Sequence, residues 1–283
     1  MAAFPGGLVW LASYPKSGNT WMRILLANLL SARDEPADIN NLSEPQTLMG
    51  RWRFADDMLV DPDLLDSREL GVMRPIHCDF AAQDVSHPFF CKTHDQFWSP
   101  EGELTLGASA RRVLYIIRDP RDVAISFSYH AGLSIDDTIT QMVDRNASST
   151  GRAVLPCFMG DWGTHVVGWA SQPLIPVMVV RYESMHANTV SCLRSIVDFL
   201  GGQADEMEIR RAVAHGSFDE LQRQEARKGF REARPGQERF FRTGQAGGWR
   251  EVLKPHQLRR IEDHFADIMT AYGYEIADRS QAD

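Results

Sequence analysis

The sequence predicts an α/β fold: a single domain with a central parallel sheet flanked by helices. Two observations predict it. A short apolar run, a turn and an apolar pattern at helical spacing follow one another three times along the chain. One further apolar run lies between the first and second of these units. Strands that alternate with helices pair in parallel, because each crossover lays its helix over a face of the sheet. A chain of 283 residues that is 43% hydrophobic is long enough to bury such a core.

The elements follow in order. GLVWLAS (7–13) is the first strand and turns at Tyr14-Pro15, after which NTWMRILLANLLSA sets Trp21, Leu25 and Asn28 or Leu29 on one helix side. PFFCKTH (88–94) is the extra short strand. RRVLYII (111–117) runs through RDPRD into the helix of VAISFSYHAG. PVMVVRY (176–182) runs into HANTVSCLRSIVDFLGG (186–202), whose closing glycines suit a helix C-cap. Residues 34–87 and 144–173 show no clean period and are read as loops decorating one domain, 1–283.

Composition excludes several functions. A formal net charge of −8 argues against a broad nucleic-acid surface. No run reaches the roughly 18 apolar residues that span a bilayer. The N-terminus has no basic start or small-residue cleavage site. Cys78, Cys91, Cys157 and Cys192 form no CxxC pair, which suits a reducing compartment. A cytoplasmic protein that binds neither nucleic acid nor membrane is expected; its oligomeric state is unread. One stretch opposes the acidic balance: 223–242 carries seven basic residues against Glu225, Glu232 and Glu238. It is either a solvated surface segment or a basic flap, near 221–248, over an anionic ligand.

The turn SYPKSGNTW (13–21) holds the chemistry. In open parallel sheets, ligands bind beyond the strands' carboxyl ends, where loops enter helix N-termini. Such a turn offers unpaired N–H groups and the positive end of a helix dipole to an anion. Gly18 allows close approach, Lys16 adds a charge, and Ser17, Asn19 and Thr20 add side-chain donors. The plain alternative is a helix entry capped by Thr20 or Asn19. The order is not that of a G-x-x-x-x-G-K-[ST] loop, since Lys16 precedes Gly18.

This turn resembles the 5′-phosphosulfate loop of sulfotransferases that use 3′-phosphoadenosine 5′-phosphosulfate (PAPS). Three further segments are similar to that family's motifs, in the family's order. YIIRDPRDVAISFSY (115–129) resembles the 3′-phosphate segment, which implies that Arg118 and Ser126 hold that phosphate. CKTH (91–94) resembles the segment that supplies a lysine near the sulfuryl group and the catalytic histidine, here Lys92 and His94. RFFRTGQAGGW (239–249) resembles the C-terminal motif that closes over the 3′-phosphate, with Arg242 and Gly244 retained. RYESM and GSF look like the adenine-side segments and bring in Tyr182 and Phe218, with Trp21 from the loop. The sequence departs where the family has lysine (Thr243), aspartate (Gly248) and threonine (Gly216). The dimer motif of many animal members is unmatched after Trp249.

The resemblance implies a P-loop-like phosphosulfate-binding strand–loop–helix and sulfuryl transfer to a hydroxyl of a small molecule. Lys16 then faces the leaving oxygen, Lys92 the sulfuryl group, and His94 is the general base. PAPS is the co-substrate, adenosine 3′,5′-bisphosphate (PAP) the product, and no metal is required. Singly, each residue has a plainer reading: His94 a satisfied polar group, Lys92 a surface charge, Ser126 a helix serine, Arg118 a partner of Asp119 or Asp122, and Trp21 and Phe218 core. A zinc site from His77, Cys78, Cys91 and His94 fails on spacing. The competing functions are a nucleotide kinase or other phosphotransferase and a non-catalytic nucleotide-binding module. Phe54, Phe80, Phe97, Trp98, Phe158 and Trp162 are either acceptor-pocket walls or core.

Overall fold

A computed structural model describes residues 3–31, 33–42, 48–83 and 85–277. Four parallel strands make the central sheet: β1 (Gly7–Ser13), β2 (Pro88–Thr93), β3 (Arg112–Ile117) and β6 (Val177–Arg181), in the order β2-β1-β3-β6. The register pairs Leu11 with Lys92 and with Leu114, and Ile117 with Arg181. β2 and β3 therefore flank β1, β6 lies beyond β3, and the chain runs first to one side of β1 and then to the other. A two-stranded ribbon, β4 (Ser148–Ser149) with β5 (Cys157–Phe158), lies apart from this sheet.

The apolar runs are continuous because both faces are covered. Val9, Leu11, Leu114, Ile116 and Val180 pack on one side with α1 (Asn19–Leu30), α7 (Tyr182–Ala187), α8 (Thr189–Leu200) and α9 (Glu206–His215). Leu8, Trp10, Ala12, Val113 and Tyr115 pack on the other with α4 (Pro120–Ala131), α5 (Ile135–Met142), α6 (Trp162–Ser171) and α12 (Pro255–Ala271). The period-2 pattern within each run divides its side chains between these two cores.

The structure corrects three readings. Residues 34–87 contain α2 (Arg51–Met58) and α3 (Ser67–Gln83). The helical period of α3 is obscured because Arg74 and His77 are buried while Val72, Ile76 and Phe80 are exposed. Residues 144–173 contain α6, started by Asp161, whose carboxylate accepts from Thr164 N–H at 2.8 Å. The helix expected over 186–202 is two: Asn188, at φ −147°, interrupts it between α7 and α8 and caps α8 with its side chain, and Gly201 closes α8 at φ 70°. In the basic stretch, α10 (Phe218–Lys228) is helical, and Phe230 and Phe241 beyond it are buried with Ile24, Ile39 and Leu221. That aromatic anchor fixes the following segment across the end of the sheet. The short α11 (Trp249–Val252) then leads into α12.

Candidate active site

Each strand of the sheet is followed, one step after its last paired residue, by a residue at the carboxyl edge. Tyr14 and the turn follow β1, His94 follows β2, Arg118 follows β3 and Tyr182 follows β6. His94, Arg118 and Tyr182 line one cavity of about 1320 Å³, as does the turn from Pro15 on, Ser17 excepted, whereas Tyr14 is buried and does not.

The turn takes an unusual backbone path. Lys16 has φ 66° and Gly18 φ 106°, both in the left-handed region. A Cβ on Gly18 would meet the Tyr182 ring at 2.6 Å, so only glycine fits. Gly18 is the N-cap of α1, and no side chain caps that helix. Neither Thr20 nor Asn19 does so; the Asn19 amide instead donates to Leu11 O at 2.7 Å and to Ser13 Oγ at 3.3 Å, tying the turn to β1. The helix N-terminus faces the cavity with its backbone groups uncapped by side chains, the arrangement that favours an anion. Ser17 is fully buried, its hydroxyl has no partner among the described residues, and it does not line the cavity. The other predicted residues do: Lys16, Gly18, Asn19, Thr20 and Trp21 from the turn, Lys92 and His94, Arg118 and Ser126, Tyr182, Phe218, Arg242 and Gly244.

Three cations converge here. The Lys16 ammonium lies 3.9 Å from the centre of the Phe240 ring. Burial first, then the charges of Lys92 and Arg118, push its pKa down to about 7. Arg118 donates to Lys16 O at 3.2 Å and Gln245 O at 2.9 Å, and its guanidinium stacks on Tyr182 at 4.4 Å. It is therefore not paired with Asp119 or Asp122. Asp119 instead caps α4 and holds Arg121, while Asp122 accepts from Gly247 N–H at 2.6 Å and Trp249 N–H at 3.0 Å. Lys92 reaches Glu232 at 3.4 Å.

His94 Nδ1 lies 2.7 Å from Ser13 O. A carbonyl only accepts, so Nδ1 carries the proton and Nε2 keeps its lone pair. Burial and then the neighbouring Lys92 charge hold the His94 pKa well below 6.5. Its peptide is fixed from behind: His165 Nε2 donates to His94 O at 3.2 Å, and Tyr115 Oη lies 2.9 Å from His165 Nδ1. The adjacent Asp95 is a buried carboxylate paired with Arg74 at 2.8 Å. His77, by contrast, bonds Asp57 at 2.9 Å in the α2–α3 pair and is no neighbour in a ligand set with His94.

In the cavity wall, Trp21 donates to Gly216 O at 2.9 Å and meets Tyr182 edge-on at 5.8 Å. Gly244 (φ 59°) sits against the Phe218 ring, and Arg242 stacks over Tyr129 at 4.9 Å. Another part of the wall is apolar, with Met49, Phe89, Leu155 and Met159. The six aromatics held open as pocket or core do not line this cavity. Phe54, Phe97 and Trp162 are fully buried core, and Phe80 is exposed.

Sequence reasoning gave no role to Glu232, Arg23, His165 or Asp95, and offered Asp122 only as a partner of Arg118. An acid in a basic stretch was a legible signal for Glu232. Arg23 and His165 had none, since their relevance comes from packing across the sheet.

Fold and cavity together define a P-loop-like α/β protein whose cations meet at the strand ends to receive a polyanion. A model of the sulfotransferase domain matches residues 7–273, and the chain belongs to the sulfotransferase family. It is a PAPS-dependent sulfotransferase. Cytosolic sulfotransferase 16 of Arabidopsis thaliana is 28% identical over 277 residues, covering 89% of this chain and 73% of that one. The fold is also that of the mouse sulfotransferase SULT7A1 complexed with PAP, at TM-score 0.58 and 19% identity over 93% of this chain and 84% of that one. A retinol dehydratase in complex with retinol and PAP gives TM-score 0.59 and 22% identity over 96% and 83% of the two chains.

Proposed function

We propose that this enzyme moves the sulfuryl group of PAPS to a hydroxyl, phenol or alcohol, of a small apolar molecule. The single observation that carries this reading is the convergence of Lys16, Lys92 and His94 on one cavity, with the His94 lone pair left at Nε2. The acceptor oxygen forms a bond to sulfur as the bond from sulfur to the 5′-phosphate oxygen breaks. The acceptor proton goes to His94 Nε2. The electron pair goes to the bridging oxygen, where Lys16 neutralises it, while Lys92 holds the sulfuryl oxygens. In-line transfer of this kind is driven by position and fixed charge, as in phosphoryl transfer.

Donor binding falls to the uncapped turn for the 5′-phosphosulfate, Arg118, Ser126, Arg242 and the Gly244 backbone for the 3′-phosphate, and Trp21, Tyr182 and Phe218 for adenine. Ser17 takes part through its backbone in this reading, since its side chain is turned into the core. The apolar wall of Met49, Phe89, Leu155 and Met159 takes the body of the acceptor. The retinol held by the retinol dehydratase is an acceptor-sized apolar alcohol of the kind this wall suits. The whole chain acts as one cytoplasmic catalytic domain, with the segment after α10 as its flap.

Two measurements test the reading. PAP in the presence of EDTA raises the melting temperature, by a free energy of about 2.7 kcal/mol at a hundred times its dissociation constant. A panel of hydroxylated metabolites incubated with ³⁵S-labelled PAPS yields labelled product from at least one member. Stabilisation by Mg-ATP alone, with none by PAP, would hand the site to the phosphotransferase reading.

A further inference from the structure

Glu232 carries a carboxylate into a cluster of cations. It lies in the turn after α10, on the segment that covers the cleft, and its side chain is only 24% exposed. One oxygen accepts from Arg23 on α1 at 2.7 Å; the other lies 3.4 Å from the Lys92 ammonium at the end of β2. Burial raises the pKa of such a carboxyl, yet Lys92 and Arg23 outweigh burial and hold it at about 2. Of the three other acids that line the cavity, Asp95 is committed to Arg74, Asp122 to the backbone at Gly247 and Trp249, and Glu251 is exposed. Facing Glu232 and the lysines are Lys16 from the turn, Arg23 from α1, His94 after β2, Arg118 after β3 and His130 from α4; Arg231 and Arg242 belong to the covering segment itself.

We propose that Glu232 is a positioning residue for sulfuryl transfer, one that holds the Lys92 ammonium at the sulfuryl site and counterbalances the lysine pair while the flap covers the cleft. This rests on the donor reading given above. Because one carboxylate bridges α1, β2 and the flap, Lys92 is fixed only when the flap is in place. Transfer is thereby coupled to coverage, which excludes water as a competing acceptor. The carboxylate also opposes the loss of the Lys16 proton, which burial, Lys92 and Arg118 promote.

The test uses the full-length protein with Glu232→Gln and Glu232→Asp. Gln keeps size and loses charge; Asp keeps charge and loses reach. For Glu232→Gln, kcat falls about 10- to 100-fold, the scale of a misplaced catalytic group. The acceptor KM stays within about threefold, since the apolar wall is untouched. The pH above which PAP binding weakens, set by Lys16, moves down by at least about half a unit. For Glu232→Asp, the pH dependence of PAP binding matches the wild type while kcat stays low. Glu232→Gln with wild-type kcat and an unmoved pH dependence overturns the inference. So does Glu232→Asp with the same pH shift as Gln, which is the mark of a merely structural defect. Failure of the wild type to bind PAP overturns the donor reading instead, and the two failures are read separately.

Discussion

His94 donates its Nδ1 proton to the main-chain carbonyl of Ser13 across 2.7 Å, so the first two strands of the sheet set the tautomer of the histidine between them. Burial and the Lys92 charge hold that imidazole neutral well below 6.5. A base that is already neutral needs no alkaline activation. His94→Ala lowers kcat on an alcohol acceptor by about 10²–10⁴. In the wild type, kcat shows no acid limb near pH 6.5, because the group that takes the proton is not titrating there. A kcat profile with a break at 6.5 that disappears in His94→Gln would mean that the ring is charged in the working enzyme.

Gly18 and Tyr182 are a second fixed pair. The ring closes on the glycine so tightly that an added Cβ sits 2.6 Å from it, at φ 106°. Gly18→Ala must move the turn, the ring or both, and a non-glycine residue in this backbone region costs on the order of 1–3 kcal/mol. Tyr182 also stacks on Arg118. The displacement therefore reaches Arg118 as well as the turn, both ends of the proposed donor site. Urea denaturation reads the stability loss, and calorimetry with PAP reads a fall in affinity of at least tenfold. Unchanged PAP affinity would show that the turn does not seat the donor.

These two pairs also mark how far the sequence could be read. The four strands of the central sheet and the turn after the first were legible, because period, glycine and charge are local signals; the short strands β4 and β5 were not. The helices α3 and α6 were not. The face of α3 that packs inward carries Arg74 and His77, whose partners Asp95 and Asp57 lie outside the helix. The mixed pattern of α6, with Gly163, Thr164 and His165, becomes intelligible only once His165 is seen bonding to Tyr115 on β3 and to the His94 peptide. Glu232 was visible as an acid in a basic run. What it touches was set by the aromatic cluster of Phe230 and Phe241 that pins the segment around it.

In the proposed donor site, the charge on Lys16 comes at a cost in stability. Its pKa in the folded protein is about 7, against 10.5 for a free lysine. Between those values the unfolded chain holds a proton that the folded one has released, so stability rises with pH across that window. Below pH 7 the buried charge costs most. Lys16→Met keeps the side-chain length and the φ of 66° and removes the charge. It abolishes transfer yet stabilises the protein by roughly 1–3 kcal/mol at pH 6, a figure discounted for the solvent that reaches this half-buried group. The gain shrinks as pH approaches 10.5. Paired urea titrations at pH 6 and pH 9.5 measure the difference, and a variant less stable than the wild type at pH 6 would contradict it.

Asp122 closes the far end of the same flap. Its buried carboxylate takes the N–H groups of Gly247 and Trp249, and Trp249 is in turn buried under Arg121, 3.7 Å from its ring. Asp122→Ala leaves both N–H groups without that acceptor, and an unsatisfied buried donor costs about 1–3 kcal/mol. The loss falls on the segment that carries Arg242, Gly244 and Gln245, and the carbonyl of Gln245 receives Arg118. Hydrogen exchange across 239–249 therefore speeds up while the strands stay protected, and PAP affinity falls about tenfold or more, the equivalent of 1.4 kcal/mol. Faster exchange with PAP affinity intact would separate the flap from donor binding. Slow exchange would show that the aromatic anchor alone holds the segment down.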